Sequence, residues 1–116
     1  MNIKAELPIR TQSEANSREH WRPKAKQARI QRAAAAMVIK PLIKDVPENI
    51  VVTLTRIAPC KLDTDNLARS FKAIRDGVAD ALGIDDGSER ITWLYAQRKG
   101  GVREYAVLVE IVGEDK

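Results

Sequence analysis

Asp63 and Asp65 stand two apart in the tract Lys61-Leu62-Asp63-Thr64-Asp65-Asn66-Leu67, and a second acidic pair follows at Asp85-Asp86-Gly87. In an extended approach to a helix, carboxylates two residues apart leave the same face, roughly 6.6 Å apart at the backbone. Like charges ~4 Å apart repel by about 1 kcal/mol in water and by more near a low-dielectric surface, so such a pair favours a bound cation. The bland readings are a helix cap for the first pair and a turn for the second, since Asp supplies both. Capping accounts for one Asp of the first pair and leaves the other unexplained.

The donor types narrow the ion. An EF-hand fails on spacing: with Asp63 at position one, Leu67 falls at five and no Gly stands at six. One His and one Cys cannot build a zinc tetrahedron or a Cys-His pair. No Gly-rich phosphate loop precedes a helix. Hard oxygen ligands remain, pointing to Mg²⁺ or Mn²⁺. Arg69 follows Asp65 by four residues and Lys72 by three more, which predicts one shared helix face. Their bland reading is a solvated cationic surface. Their chemical reading is electrostatic support for a phosphate undergoing attack.

The net charge is +4 over 116 residues, with a pronounced asymmetry. Residues 1–60 carry 11 Lys/Arg against 5 Asp/Glu, a balance of +6; residues 61–116 carry 9 against 11, a balance of −2. Arg18, Arg22, Lys24, Lys26, Arg29 and Arg32 are opposed only by Glu19, which makes an anion-binding footprint with nucleic acid as the leading ligand. His20 and Trp21 beside this run suit stacking on a base or sugar, although a Trp there equally suits a helix-start staple. No apolar run reaches membrane-spanning length, the N-terminus lacks a secretory pattern, and Cys60 is the lone cysteine. A cytoplasmic, reducing setting is expected, with Cys60 inert.

These groups need a scaffold. Alternation at Ile3, Ala5 and Leu7 predicts a first strand ending at Pro8. Residues 23–39 predict a helix with Pro23 in its first turn and Ile30, Ala33, Ala34, Met37 and Val38 as its buried stripe. Ile50 to Ile57 reads as a β-branched strand closed near Pro59. A second helix is expected to begin at Asp65 or Asn66, bury Leu67, Phe71, Ile74, Val78 and Leu82, and stop at Gly83. Residues 91–98 and 102–112 read as strands of a hairpin joined at Lys99-Gly100-Gly101. The expected fold is a single small α/β (α+β) domain in βαβαββ order, a mixed sheet with two main helices. A helix joining the strand before Asp63 to the strand after Asp86 runs back along the sheet. The acid groups therefore meet only through a neighbouring subunit or a loop that doubles back.

Asp63-Thr64-Asp65-Asn66-Leu67, Arg69 or Lys72 on the following helix, Ala79-Asp80-Ala81-Leu82-Gly83-Ile84-Asp85-Asp86 and two closing strands together resemble the RusA-type Holliday junction resolvases, small phage and bacterial endodeoxyribonucleases. The likeness is strong over residues ~60–112 and loose before them. It implies a homodimeric, Mg²⁺-dependent enzyme of DNA recombination and repair that nicks four-way junctions, one strand per subunit. By the same likeness Asp63, Asp65 and Asp86 are the essential, metal-binding carboxylates, and the family's catalytic lysine falls at Arg69. Arginine stays protonated, so Arg69 serves only to bind phosphate or Lys72 takes the role. Metal-assisted hydrolysis is the expected mechanism, with Arg18, His20, Arg22, Lys24, Lys26 and Arg29 gripping DNA. The alternative is a non-catalytic nucleic-acid-binding accessory protein of a phage or prophage.

Overall fold

In the computed structural model, which describes residues 1–11 and 21–114, the chain runs β1 (Asn2–Leu7), α1 (Trp21–Ile39), a 3₁₀ turn (Lys40–Leu42), β2 (Asn49–Ala58), α2 (Thr64–Ser70), α3 (Lys72–Leu82), β3 (Ile91–Lys99) and β4 (Ala106–Glu114). One mixed sheet has the strand order β1-β4-β2-β3, with β2 parallel to β3 and β4 antiparallel to both β1 and β2. Alternate residues of the strands face one core: Ile3 and Leu7, Ile50, Val52 and Leu54, Ile91, and Val107, Val109 and Ile111. The α+β architecture matches the sequence expectation. The amphipathic stripe of the second helical stretch is also present, with Leu67, Phe71, Ile74, Val78 and Leu82 all buried.

Three expectations are corrected. Residues 91–99 and 106–114 form no hairpin, because β2 lies between them. The helical crossover makes β3 parallel to β2, and β4 then takes the other side of β2, where β1 pairs with it in turn. That position buries Val107, Val109 and Ile111 completely. The connection instead crosses the end of β2, where the Gly100 amide donates to the Ala58 carbonyl and Arg103 turns the chain at φ 61°. Val102, read as strand, is 91% exposed.

The second helix is two helices. It begins one residue earlier than expected, with Asp63 as its cap, and breaks at Phe71, whose amide bonds back to the Ala68 carbonyl. Phe71 is completely buried and stacks on Tyr95 with ring centroids 5.5 Å apart. α3 ends as expected on Gly83, in the left-handed region at φ 71°, a conformation that costs glycine little.

α1 buries a different face from the predicted one. Ile30, Met37 and Val38 are 58%, 76% and 40% exposed, whereas Ala35 and Ile39 are fully buried. The reason is the approach of α3. Any Cβ at Gly77 would run into the Arg32 backbone oxygen and the Ala35 side chain, so the crossing demands the small-residue side of α1. Arg32 then reaches Asp80 with a two-pronged ion pair, Nε to Oδ2 at 2.6 Å and Nη2 to Oδ1 at 2.9 Å. That pair holds the Asp80 carboxyl below its usual range and is open to solvent.

Candidate metal and nucleic-acid site

The topology brings one set of candidate residues to a common end of the sheet. β1 ends at Leu7, β2 at Ala58 and β3 at Lys99, while β4 begins at Ala106, and the pairings Leu7↔Val107, Ile57↔Ala106 and Ala58↔Lys99 put all four at the carboxyl end of β2. Arg10, Lys61, Arg98 and Lys99 are exposed there. Gln31 of α1 donates to the Arg10 carbonyl, whereas Leu42, eleven positions further on, lies beside Met1 and Asn2 at the opposite end. The N-terminal half of α1, carrying Lys26 and Arg29 on its exposed surface, therefore belongs to this same end. Arg22 and Lys24 fall in the first turns of α1. Arg18 and His20 lie outside the described residues.

Asp63 stands here too. Two anchors fix the loop that delivers it. Arg56 donates to the Cys60 carbonyl, and Gln97 of β3 brackets Leu62 by accepting from its amide at 2.9 Å and donating to its carbonyl at 2.7 Å. Neither anchor was recognised from sequence. A polar residue at a helix-facing position of a strand, as both are, is the signal that marks them. Asp63 then caps α2: Oδ1 accepts from the Asn66 amide at 2.8 Å and Oδ2 from the Asn66 side chain at 3.0 Å. Asp65 is exposed in the first helical turn. The extended geometry ends at Asp63, the cap, and Asp65 lies one residue inside the helix that starts at Thr64. Arg69, at the end of α2, is exposed and makes no ion pair among the described residues. Lys72 belongs to α3, beyond the break, and pairs with Asp76 at 3.2 Å.

Asp86 is elsewhere. The parallel register sets the start of β3 against the start of β2, nine paired positions from the Asp63 end, or about 26 Å at 3.3 Å per residue. The loop of residues 83–90 doubles back only part of the way. There Trp93 Nε1 and Arg75 Nη2 both donate to the Asp86 carbonyl, at 2.9 and 3.1 Å, and Arg75 Nη1 donates to the Tyr95 hydroxyl at 2.7 Å. Arg75 Nε lies 3.2 Å from Asp86 Oδ2 without aiming its N–H at it, so the buried Nε is left with no hydrogen bond. The Arg75 guanidinium also packs over the Trp93 ring, 4.8 Å from its centroid. Eleven residues separate Asp63 from Arg75, and the break at Phe71 falls among them. Among the described residues, no three carboxylate, imidazole or thiol side chains gather around one point.

Hard oxygen donors at the Asp63 end suit Mg²⁺, which binds through one or two carboxylates and takes its remaining ligands from water and substrate phosphate. Asp63 and Asp65 are of the right chemistry for that share of a shell. Asp86 of the same chain is paired with Arg75 in this conformation.

No protein-family model matches the chain. It is similar to an uncharacterized protein of Xylella fastidiosa (strain Temecula1), with 35% identity over 78 residues, covering 61% of this chain and 51% of that protein. The chain thus spans about half the length of the curated relative it matches. Among the described residues no helix is long and apolar enough to cross a membrane.

Proposed function

We propose that the protein is a metal-dependent endodeoxyribonuclease of the RusA resolvase type, acting in the cytoplasm as a homodimer on four-way DNA junctions. The observation that carries this reading is the placement of Asp63 and Asp65 at the same end of the sheet as Arg10, Lys61, Arg98, Lys99 and the N-terminal half of α1. Phosphodiester hydrolysis needs both parts, cations that hold the backbone and carboxylates that hold an ion against the scissile phosphate. A bound Mg²⁺ would lower the pKa of a water and neutralise phosphate oxygens. Asp63 and Asp65 would hold it, Arg69 would balance phosphate charge, and Gln97 and Arg56 would keep the Asp63 loop in place. In this reading Asp86 completes the centre from a second copy of the chain. Exposed Ile30, Met37 and Leu42 along α1 and the turn after it are apolar surface for such a copy to cover.

A second reading has its own observation. Both Asp63 oxygens serve Asn66, Asp86 is paired with Arg75, and no three acids gather among the described residues of one chain, as suits a DNA-binding accessory protein without hydrolysis. Incubation with a synthetic four-way junction with and without Mg²⁺ separates the two. The nuclease reading expects symmetric nicks that need the metal and vanish in Asp65→Asn with junction binding retained. Binding without nicks under every metal condition would establish the accessory protein instead.

A further inference from the structure

We propose that Arg56 and Arg10 form a seat for a nucleic-acid phosphate at the carboxyl end of the sheet, beside the Asp63 loop. The inference deepens the nucleic-acid part of the reading above and does not depend on hydrolysis. Arg56 continues the core-facing alternation Ile50, Val52, Leu54 and is only 7% exposed. A guanidinium taken out of water is costly unless a counter-charge and a full set of acceptors replace the water. Arg56 has neither among the described residues. Its Nε donates to Thr11 Oγ1 at 3.1 Å and one Nη1 hydrogen goes to the Cys60 carbonyl, both neutral acceptors. Among the described residues the other three donors of the fork have no protein acceptor.

Among the described residues, the ionisable groups that act on it are the Cys60 thiol, the Tyr105 phenol and a second cation, Arg10. Burial weakens the hold of Arg56 on its proton, and Arg10 adds to that effect. Arg10 itself is exposed and fixed by its neighbour, its guanidinium lying 4.4 Å from the centroid of the Tyr105 ring. Two arginines are thus held on one patch, one recessed and one stacked, with no carboxylate paired to either among the described residues. A tetrahedral anion would relieve their repulsion and offer oxygens to the free donors, and a planar fork suits phosphate oxygens. Lys61 follows Cys60 directly, and Asp63 is two residues further. A phosphate in this seat therefore belongs to a strand passing the carboxylate tract.

The test uses Arg56→Gln, which keeps an amide donor near Thr11 and the Cys60 carbonyl while removing the charge, and Arg10→Ala, which leaves the core untouched. Thermal unfolding is followed in sodium pyrophosphate against sodium chloride of matched ionic strength. Binding of a labelled four-way junction is followed by anisotropy over a salt series. The wild type is expected to gain in Tm with pyrophosphate beyond the chloride control, with the gain lost in Arg56→Gln and reduced in Arg10→Ala. Each variant should flatten the slope of log Kobs against log salt by about 0.9, the value for one phosphate contact. Equal Tm gains in both salts, or a folded Arg56→Gln with an unchanged slope, would make Arg56 a structural latch for the Cys60 loop and overturn the seat. If Arg56→Gln does not fold, an unchanged slope in Arg10→Ala overturns it alone. Failure of the junction to be cut leaves this result standing, because neither measurement reads cleavage.

Discussion

Two acidic regions of similar composition have opposite surroundings. The Asp63-Asp65 tract sits at the sheet end where exposed Arg and Lys side chains collect, held by backbone anchors from β2 and β3. The Asp85-Asp86 loop folds against the first turn of α3 and the first half of β3, and its second acid is already tied to Arg75 and Trp93. Acids that look equivalent in a sequence thus divide into one group facing a cationic surface and one group absorbed by a structural ion pair. A carboxylate with a cation of its own has less to offer a metal than one facing solvent.

The sharpest way to break this contrast is to compare the two regions in one cleavage assay. Asp65→Asn is expected to lower Mg²⁺-dependent nicking of a four-way junction by at least about a hundredfold, an effect on the scale of removing a main stabiliser of developing charge. Asp63→Asn should do the same with little loss of stability, because Asn caps helices as well as Asp does. If Asp86→Asn instead impairs only stability and leaves nicking intact, the second region is structural and the dimer-completed centre is wrong.

Disturbing the frame beneath both regions comes next. Gly77→Ala would force α1 away from α3 and should cost about 1–3 kcal/mol in denaturant unfolding; an unchanged midpoint would show that the crossing relaxes freely. Gln97→Ala removes both bonds to Leu62 and is expected to cost about 1–2 kcal/mol. Faster amide exchange around residues 61–66 but not around 84–90 would place its effect on the first region alone.

The smallest effect expected is at the solvent-open Arg32–Asp80 pair. Because its partner lowers the folded-state Asp80 pKa, the stabilisation is present above the unfolded carboxylate pKa and fades as pH falls through the lowered folded value. Asp80→Asn should lower Tm slightly at neutral pH, less so in high salt, and converge with the wild type in acid. A Tm gap that persists at acid pH would assign the effect to packing.

Much of the scaffold was legible because its signals are local. Alternation at Ile3, Ala5 and Leu7, the β-branched run from Ile50, the helical spacing from Leu67 to Leu82 and the stop at Gly83 each depend on residues a few positions apart. The face of α1 was not legible, because Ile30 and Met37 look more apolar than Ala35 until a glycine on another helix demands the smaller side chain. The break at Phe71 was hidden for a related reason, as that residue is committed to Tyr95 of a distant strand. Arg56 and Gln97 escaped notice as single polar residues within strands, and their meaning appears only when the Asp63 loop passes over them.

By itself the sequence determined which segments are strands and helices, where the apolar stripes of β1, β2 and α3 fall, and that oxygen donors and cations are the chemistry on offer. Only the tertiary structure decided which strands are neighbours, and with that which charges share an end of the sheet. Strand partners are chosen by burial across the whole core and by the direction of the connecting helices. The parallel pairing of β2 with β3 therefore put the two acid groups, only about twenty residues apart along the chain, at opposite ends of the helical crossover that joins these strands, and gave the second of them Arg75 as a partner.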